Sequence, residues 1–259
     1  MSSVVKRRLI DNLRRVGDRI AAAAERSERQ PEDIQLVAVT KLVEMDVVRQ
    51  LLDLGIADLG ESRVQVLVKR AGMLDEQLQR RLARTSQEAP DQPIRPRWHM
   101  VGHLQRNKVR VVLPWIELIH SLDSLRLAEE ISAQAVKANR EVRALIQVNP
   151  TAEKTKFGVA VGAAIHLAEQ IVTLPKLRLI GLMAMAPLVD DPEKSRPYFE
   201  RTRELFEEIR GEDVVGPEFV HLSMGMSSDY VVAVEEGATM VRIGTALFDG
   251  LPSQVASEA

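Results

Sequence analysis

Lys41 closes the apolar run Ile34-Gln35-Leu36-Val37-Ala38-Val39-Thr40-Lys41, and a helical pattern begins around Val43. An amine at the end of a buried-strand signal is where a Schiff base to a carbonyl cofactor can form. A lysine after a strand also returns the chain to water, because lysine is seldom fully buried. The residues that separate these two readings lie far downstream, between Ser223 and Thr245.

Two segments there carry the composition of a phosphate site. Ser223-Met224-Gly225-Met226-Ser227-Ser228 and Gly244-Thr245 each combine glycine, which lets the backbone approach an anion, with hydroxyl neighbours and a following helix start. Taken singly, either motif is equally well explained as capping and turning. Arg242 turns the question from phosphate to cofactor. At the end of an apolar strand it either pairs a carboxylate such as Glu61 or donates N–H groups to a pyridine nitrogen. A guanidinium keeps its proton, so that nitrogen would stay unprotonated and the ring would be a poor electron sink. Such a ring suits binding or mild proton chemistry better than transamination.

The elements that must position these residues alternate regularly. Strands are expected at Ile34–Lys41, Ala57–Glu61, Arg97–Leu104, Leu118–Asp123, Val142–Asn149, Leu177–Ala186, Phe219–Met224 and Met240–Gly244. Amphipathic stretches lie between them. Leu125–Ala138 carries Leu127, Ile131 and Ala135 at a spacing of four, and Glu200–Arg210 sets Leu205, Phe206 and Ile209 on one side. A further helix, Val4–Arg26, precedes the first strand. This count within 259 residues predicts an α/β fold, a single (β/α)8 TIM-type barrel with an extra N-terminal helix, forming one domain over residues 1–259. A doubly wound open sheet is the alternative. Gln77–Pro96, polar and arginine-rich with Pro90, Pro93 and Pro96 near its end, reads as a helix tail running into an exposed loop. In a barrel the strand C-termini carry the function, and the loops after strands 7 and 8 are the usual phosphate position.

Composition removes several classes. With 45% hydrophobic and 28% charged residues the chain suits a soluble globular protein. Its 35 basic and 37 acidic residues leave a net charge of −2, which offers no grip on nucleic acid. The chain has no cysteine, which excludes thiol nucleophiles, disulfides and zinc-thiolate sites. His99, His103 and His120 lack the paired spacing of metal ligands, so no metal is expected. No segment reaches the roughly 20 apolar residues of a membrane span, and Met1–Arg15 has no apolar signal region, so a cytoplasmic location is expected. Met183/Met185 and Met224/Met226 read as barrel packing or pocket lining.

Ala38-Val39-Thr40-Lys41, Gly60-Glu61-Ser62-Arg63-Val64-Gln65, Trp98 to Lys108, His120-Ser121-Leu122-Asp123, Lys156-Phe157-Gly158, Gly181-Leu182-Met183-Ala184-Met185, Leu222 to Ser227 and Met240 to Thr245 resemble, in order, the signature blocks of the pyridoxal 5′-phosphate (PLP) homeostasis proteins. These are the YggS/PROSC-type, alanine-racemase-like barrel proteins. The resemblance covers roughly Ile34 to Gly250. It implies a PLP fold type III barrel without the C-terminal β-domain, in which Lys41 forms the internal aldimine with PLP. It further implies that Arg242 faces the pyridine nitrogen, and that Ser223, Gly244 and Thr245 hold the phosphate with help from the Met224–Ser227 loop. The family carries, buffers and hands over PLP without a known catalytic turnover, so apo PLP-dependent enzymes are implied partners. Lys156 matches a family lysine suspected of a secondary role in PLP handling.

Two positions depart from the family pattern. Ser62 stands where an asparagine is usual near the cofactor's 3′-oxygen, and Thr40 stands where a serine is usual before the lysine. Gln77–Pro96 is also longer than the family leads one to expect. His103 is expected near the cofactor ring. Two competing readings stay open: an amino-acid racemase of the same barrel type, and a Schiff-base aldolase that needs no PLP. The racemase requires a second base, which related enzymes draw from a tyrosine of a separate β-domain; the tyrosines here are Tyr198 and Tyr230. Without that domain's contacts, a monomer is expected.

Overall fold

The computed structural model describes residues 3–83, 94–151, 157–212 and 214–252. Helix α1 (Ser3–Arg26) is followed by a regular alternation: β1 (Gln35–Val39), α2 (Met45–Asp53), β2 (Asp58–Glu61), α3 (Val64–Leu82), β3 (Arg97–Met100), α4 (Val109–Val112) and β4 (Ile116–Leu122). It continues through α5 (Leu125–Lys137), β5 (Val142–Asn149), β6 (Val159–Ala160), α6 (Val161–Ile171), β7 (Leu177–Ala184), α7 (Arg196–Gly211), β8 (His221–Ser223), α8 (Tyr230–Glu235), β9 (Met240–Ile243) and α9 (Thr245–Phe248). Every pairing is parallel, and the order β1-β2-β3-β4-β5-β7-β8-β9 closes on β1. The protein is therefore a TIM-type (β/α)8 barrel, as its alternation predicts. β6 is outside that count: its two residues extend the C-terminal end of β5 through Val148↔Val159 and Asn149↔Ala160. A two-residue strand leaves no hydrophobic run to read in a sequence.

Strands buried on both faces carry near-continuous apolar runs, and the two faces feed two separate cores. Ile119, Ala144, Ile146, Val241 and Ile243 join the large core beneath the helices. Their neighbours of opposite parity, Leu118, Leu145 and Met240, join Ile180 and Met183 in a small cluster inside the barrel. The same parity aims His99, His120, Gln147 and Arg242 inward, and all four are buried. The inner layer of this barrel thus mixes apolar and polar side chains at one level, His99 in register with Leu118 and Gln147 with Met183.

Strand ends are shorter than the apolar runs suggest. β1 leaves the sheet after Val39 and β3 after Met100. Beyond them the backbone serves the rim, where a Cβ added to Gly102 would lie 2.2 Å from the Ser62 carbonyl oxygen. α1 buries Leu9, Val16, Ile20 and Ala23, and its Asn12 amide donates to the carbonyls of Leu247 and Asp249 at 2.9 and 3.0 Å, holding the C-terminal end of α9. Of Gln77–Pro96, residues up to Leu82 complete α3, while residues 84–93 lie outside the described residues. No helix among the described residues is long and apolar enough to cross a membrane.

Gly181 marks a place in β7 where inner parity slips. Leu145 pairs with Gly181 while Ala144 pairs with Leu179, so Ile180 is an extra residue in β7. Gly181 has φ +154°, and a Cβ on it would sit 1.7 Å from the His221 carbonyl oxygen of β8. Gly181→Ala is therefore expected to force β7 and β8 apart and to destabilise the fold by about 3 kcal/mol or more in urea unfolding. A wild-type unfolding midpoint would contradict this reading of the β7–β8 contact.

Candidate functional site

Lys41 lies in the turn between β1 and α2, its side chain exposed while Thr40 beside it is fully buried. The turn is tied down from below. Arg70 of α3 donates to the Thr40 carbonyl at 2.7 Å, to Glu61 Oε1 at 2.5 Å and to the Val43 carbonyl, and Thr40 Oγ1 donates to the same Glu61 oxygen at 2.7 Å. Burial raises the Glu61 carboxyl above its ordinary range, and the Arg70 charge opposes that rise. The backbone on both sides of Lys41 is thus held by one buried cation, while the Lys41 side chain is left exposed.

Arg242 sits on β9, next to β1 in the register Val37↔Arg242. Its Nη1 donates to the Ser223 carbonyl at 2.8 Å and to Ser223 Oγ at 2.6 Å, and its Nη2 donates to the Ala184 carbonyl at 2.9 Å. Glu61, the carboxylate considered for it from the sequence, pairs with Arg70 instead. Burial lowers the Arg242 pKa to about 10, with Asp229 acting in the other direction. The guanidinium remains protonated at neutral pH and presents a fixed donor fork inside the barrel mouth.

The two glycine-containing loops converge. Ser227 Oγ lies 3.2 Å from both the Gly244 and the Ala246 backbone N–H groups. Two amides therefore point at a single oxygen, as they would at a phosphate oxygen. Asp229 shapes the first loop by accepting from the Met226 N–H at 2.6 Å. Gly225 has φ +91°, and a Cβ there would lie 2.6 Å from the Ala233 Cβ. The loops open onto a cleft of about 410 Å³ lined by Ser227, Ser228, Thr245 and Ala246, with Arg15 and Arg19 of α1 along its rim. The donors present fit an aldehyde-bearing pyridine phosphate: an amine, a charged fork and paired amides at the ends of adjoining strands.

The structure brings Lys41, Ser62, Ser227, Arg242, Gly244 and Thr245 to this one end of the barrel. Ser62 is half-buried against Gly102, and Met224 is buried in the outer core. Ser223 is placed differently from its expected partners. Its hydroxyl faces the barrel interior, 2.6 Å from Arg242 and 2.9 Å from His120 Nδ1. His103 stacks on Phe157 with ring centroids 4.5 Å apart and approaches Asp123 at 3.3 Å. Lys156 lies outside the described residues. Arg70, Asp229 and the His99–His120 pair carry roles the sequence reading did not assign. The signal for the histidines was their inward parity on β3 and β4.

Residues 12–252 match the family model of the alanine racemase N-terminal domain. The chain is 40% identical over 238 residues to the pyridoxal phosphate homeostasis protein of Aquifex aeolicus, covering 92% of this chain and 96% of that one. The protein of the same name from Escherichia coli K12 is 37% identical over 240 residues, covering 92% and 94%. Among solved structures, PipY of Synechococcus elongatus with PLP bound superposes with a TM-score of 0.72 at 29% identity, covering 90% of this chain and 99% of PipY.

The Arg70 clamp gives a direct test. Arg70 and Glu61 are both almost wholly buried, so Arg70→Met strands a carboxylate without its cation. It is expected to cost about 3–5 kcal/mol in chemical denaturation, with part recovered in the Arg70→Met/Glu61→Gln double variant. A single variant as stable as wild type would show that the pair does not hold the turn.

Proposed function

Because this chain belongs to the alanine racemase N-terminal domain family, among the pyridoxal phosphate homeostasis proteins, we propose that it binds PLP and serves to carry and buffer it, without substantial catalytic turnover. The cofactor supplies, when bound, an aldehyde that takes up amines. The chain's own residues define what happens to it. Lys41 holds the aldehyde as a covalent Schiff base, and its exposed position in a clamped turn leaves the amine reachable by incoming ligand. Ser227 with the Gly244 and Thr245 backbone receives the phosphate, and Met224 supports the loop from the core side. Ser62 stands toward the 3′-oxygen. Ser223 contributes through Arg242, since its hydroxyl is already engaged there.

The observation that carries the reading is the buried Arg242 fork. A guanidinium donating to the pyridine nitrogen keeps that nitrogen unprotonated, which makes the ring a poor electron sink and suits binding or mild proton chemistry better than transamination. Among the described residues neither tyrosine is placed to serve as the second base of the racemase alternative. Tyr198 packs against the outer core, and Tyr230 is buried in it with Arg19 over its ring at 5.3 Å. The protein acts as a monomeric cytoplasmic carrier formed by one domain over residues 1–259, and hands PLP to apo PLP-dependent enzymes.

Absorbance spectroscopy of the purified protein with added PLP tests this. Wild type is expected to develop a visible band that borohydride abolishes, and Lys41→Ala is expected to lack it while still folding. Alanine racemisation at ordinary enzyme rates would contradict the carrier role, and no visible band in wild type would sink PLP attachment at Lys41.

A further inference from the structure

The strand ends hold one more arrangement. From Arg242 a line of buried hydrogen bonds runs across the barrel interior. Ser223 Oγ meets His120 Nδ1 at 2.9 Å, His120 Nε2 meets His99 Nδ1 at 2.9 Å, and His99 Nε2 meets Asp58 Oδ1 at 3.0 Å. Arg97 then closes on Asp58 with two hydrogen bonds of 2.7 and 2.6 Å. His99, His120 and Ser223 are at most 1% exposed. Four strands, β2, β3, β4 and β8, contribute to the line before it reaches β9.

Its two ends fix the direction of every bond in it. Arg242 only donates, so Ser223 Oγ accepts from it. The Ser223 proton is then given to His120 Nδ1, which must be bare. His120 therefore carries its proton on Nε2 and donates to His99 Nδ1, and His99 carries its proton on Nε2 and donates to the Asp58 carboxylate. The reverse order would aim a His120 N–H at the oxygen Arg242 already uses and leave the Ser223 proton to find another acceptor. Each bond dipole in the forward order has its negative end toward the Arg242 cation and its positive end toward the Asp58 anion. Since a guanidinium cannot take up a proton, the line is a brace and not a path for proton transfer.

We propose that His120 and His99 are positioning residues for Arg242: a pair of Nε2-protonated imidazoles, anchored on Asp58, that fixes the direction of the Ser223 hydroxyl and through it the orientation of the fork facing the cofactor. The proposal rests on the PLP-binding reading for its functional consequence and on geometry alone for the tautomers. Burial first, with the Arg242 charge acting in the same direction, lowers the His120 pKa well below the ordinary histidine value, consistent with a neutral ring. The groups facing His120 are His99 and Asp58 from β3 and β2, His221 and Ser223 from β8, and Arg242 from β9.

Two measurements decide it. In the PLP-free protein labelled with 15N at histidine, with assignments made from His99→Asn and His120→Asn, the His120 ring should show a bare Nδ1 and a protonated Nε2 from about pH 5 to 8, the span in which a free histidine titrates. A proton on Nδ1, or titration of His120 within that span, overturns the proposal whatever the protein does with PLP. In the second, PLP affinity is compared for His120→Leu, which removes the acceptor, and His120→Asn, which returns an oxygen near the Nδ1 position, with thermal unfolding recorded for each. His120→Leu should bind PLP roughly tenfold more weakly and His120→Asn should regain most of that loss, at comparable thermal stability. Wild-type affinity in His120→Leu, or equal losses in both variants, rejects the positioning role. Failure of the wild-type protein to bind PLP instead rejects the functional reading and leaves the tautomer result standing.

Discussion

A guanidinium buried inside the barrel mouth is the constraint around which this end of the protein is built. Arg242 is 4% exposed and carries its charge away from water, a placement that costs several kcal/mol unless hydrogen bonds and an opposite charge offset it. The fold meets that demand locally with the Ser223 carbonyl and hydroxyl and the Ala184 carbonyl, and at longer range with Asp229. β7, β8 and β9 are thereby joined at the level where the strands end. Closure of the sheet makes this possible, because it puts β9 beside β1 and so sets the Arg242 strand next to the one that leads to Lys41.

A second buried arginine does for the β1–α2 turn what Arg242 does for the mouth. Arg70 reaches from α3 to two carbonyls and a carboxylate, and it adds to the turn's own Val43 N–H to Thr40 carbonyl hydrogen bond. The two arginines thus divide the work: one holds the segment that presents the amine, the other faces inward as a donor that cannot lose its proton. A fork of this kind suits an unprotonated pyridine, a poor electron sink that fits binding or mild proton chemistry better than transamination.

The eight-strand alternation was legible from Ile34 to Gly250 because strands buried on both faces read as apolar runs. The ends of those strands were not. Val39 and Met100 terminate β1 and β3 earlier than the runs imply, since Thr40, Val101 and Leu104 keep apolar or β-branched character while serving the rim. β6 was invisible at two residues, and the extra residue at Ile180 depends on pairing across β5, which one strand's sequence does not carry. Lys41, Ser227, Arg242 and Gly244 could be singled out by type and position. Ser223 was harder, because a serine beside a glycine loop reads as a phosphate ligand, and only the three-dimensional parity of β8 shows its hydroxyl turned to Arg242. His99, His120 and Asp58 come from three different strands, so the line they form exists only in the folded barrel.

A crystal structure of the protein soaked with PLP tests the central claim most directly. The account predicts a bond from the Lys41 Nζ to the aldehyde carbon, the Arg242 fork on the pyridine nitrogen and the phosphate at the Ser227, Gly244 and Thr245 amides. Density for PLP at another amine, or a ring turned so that Arg242 faces the phosphate, would contradict it.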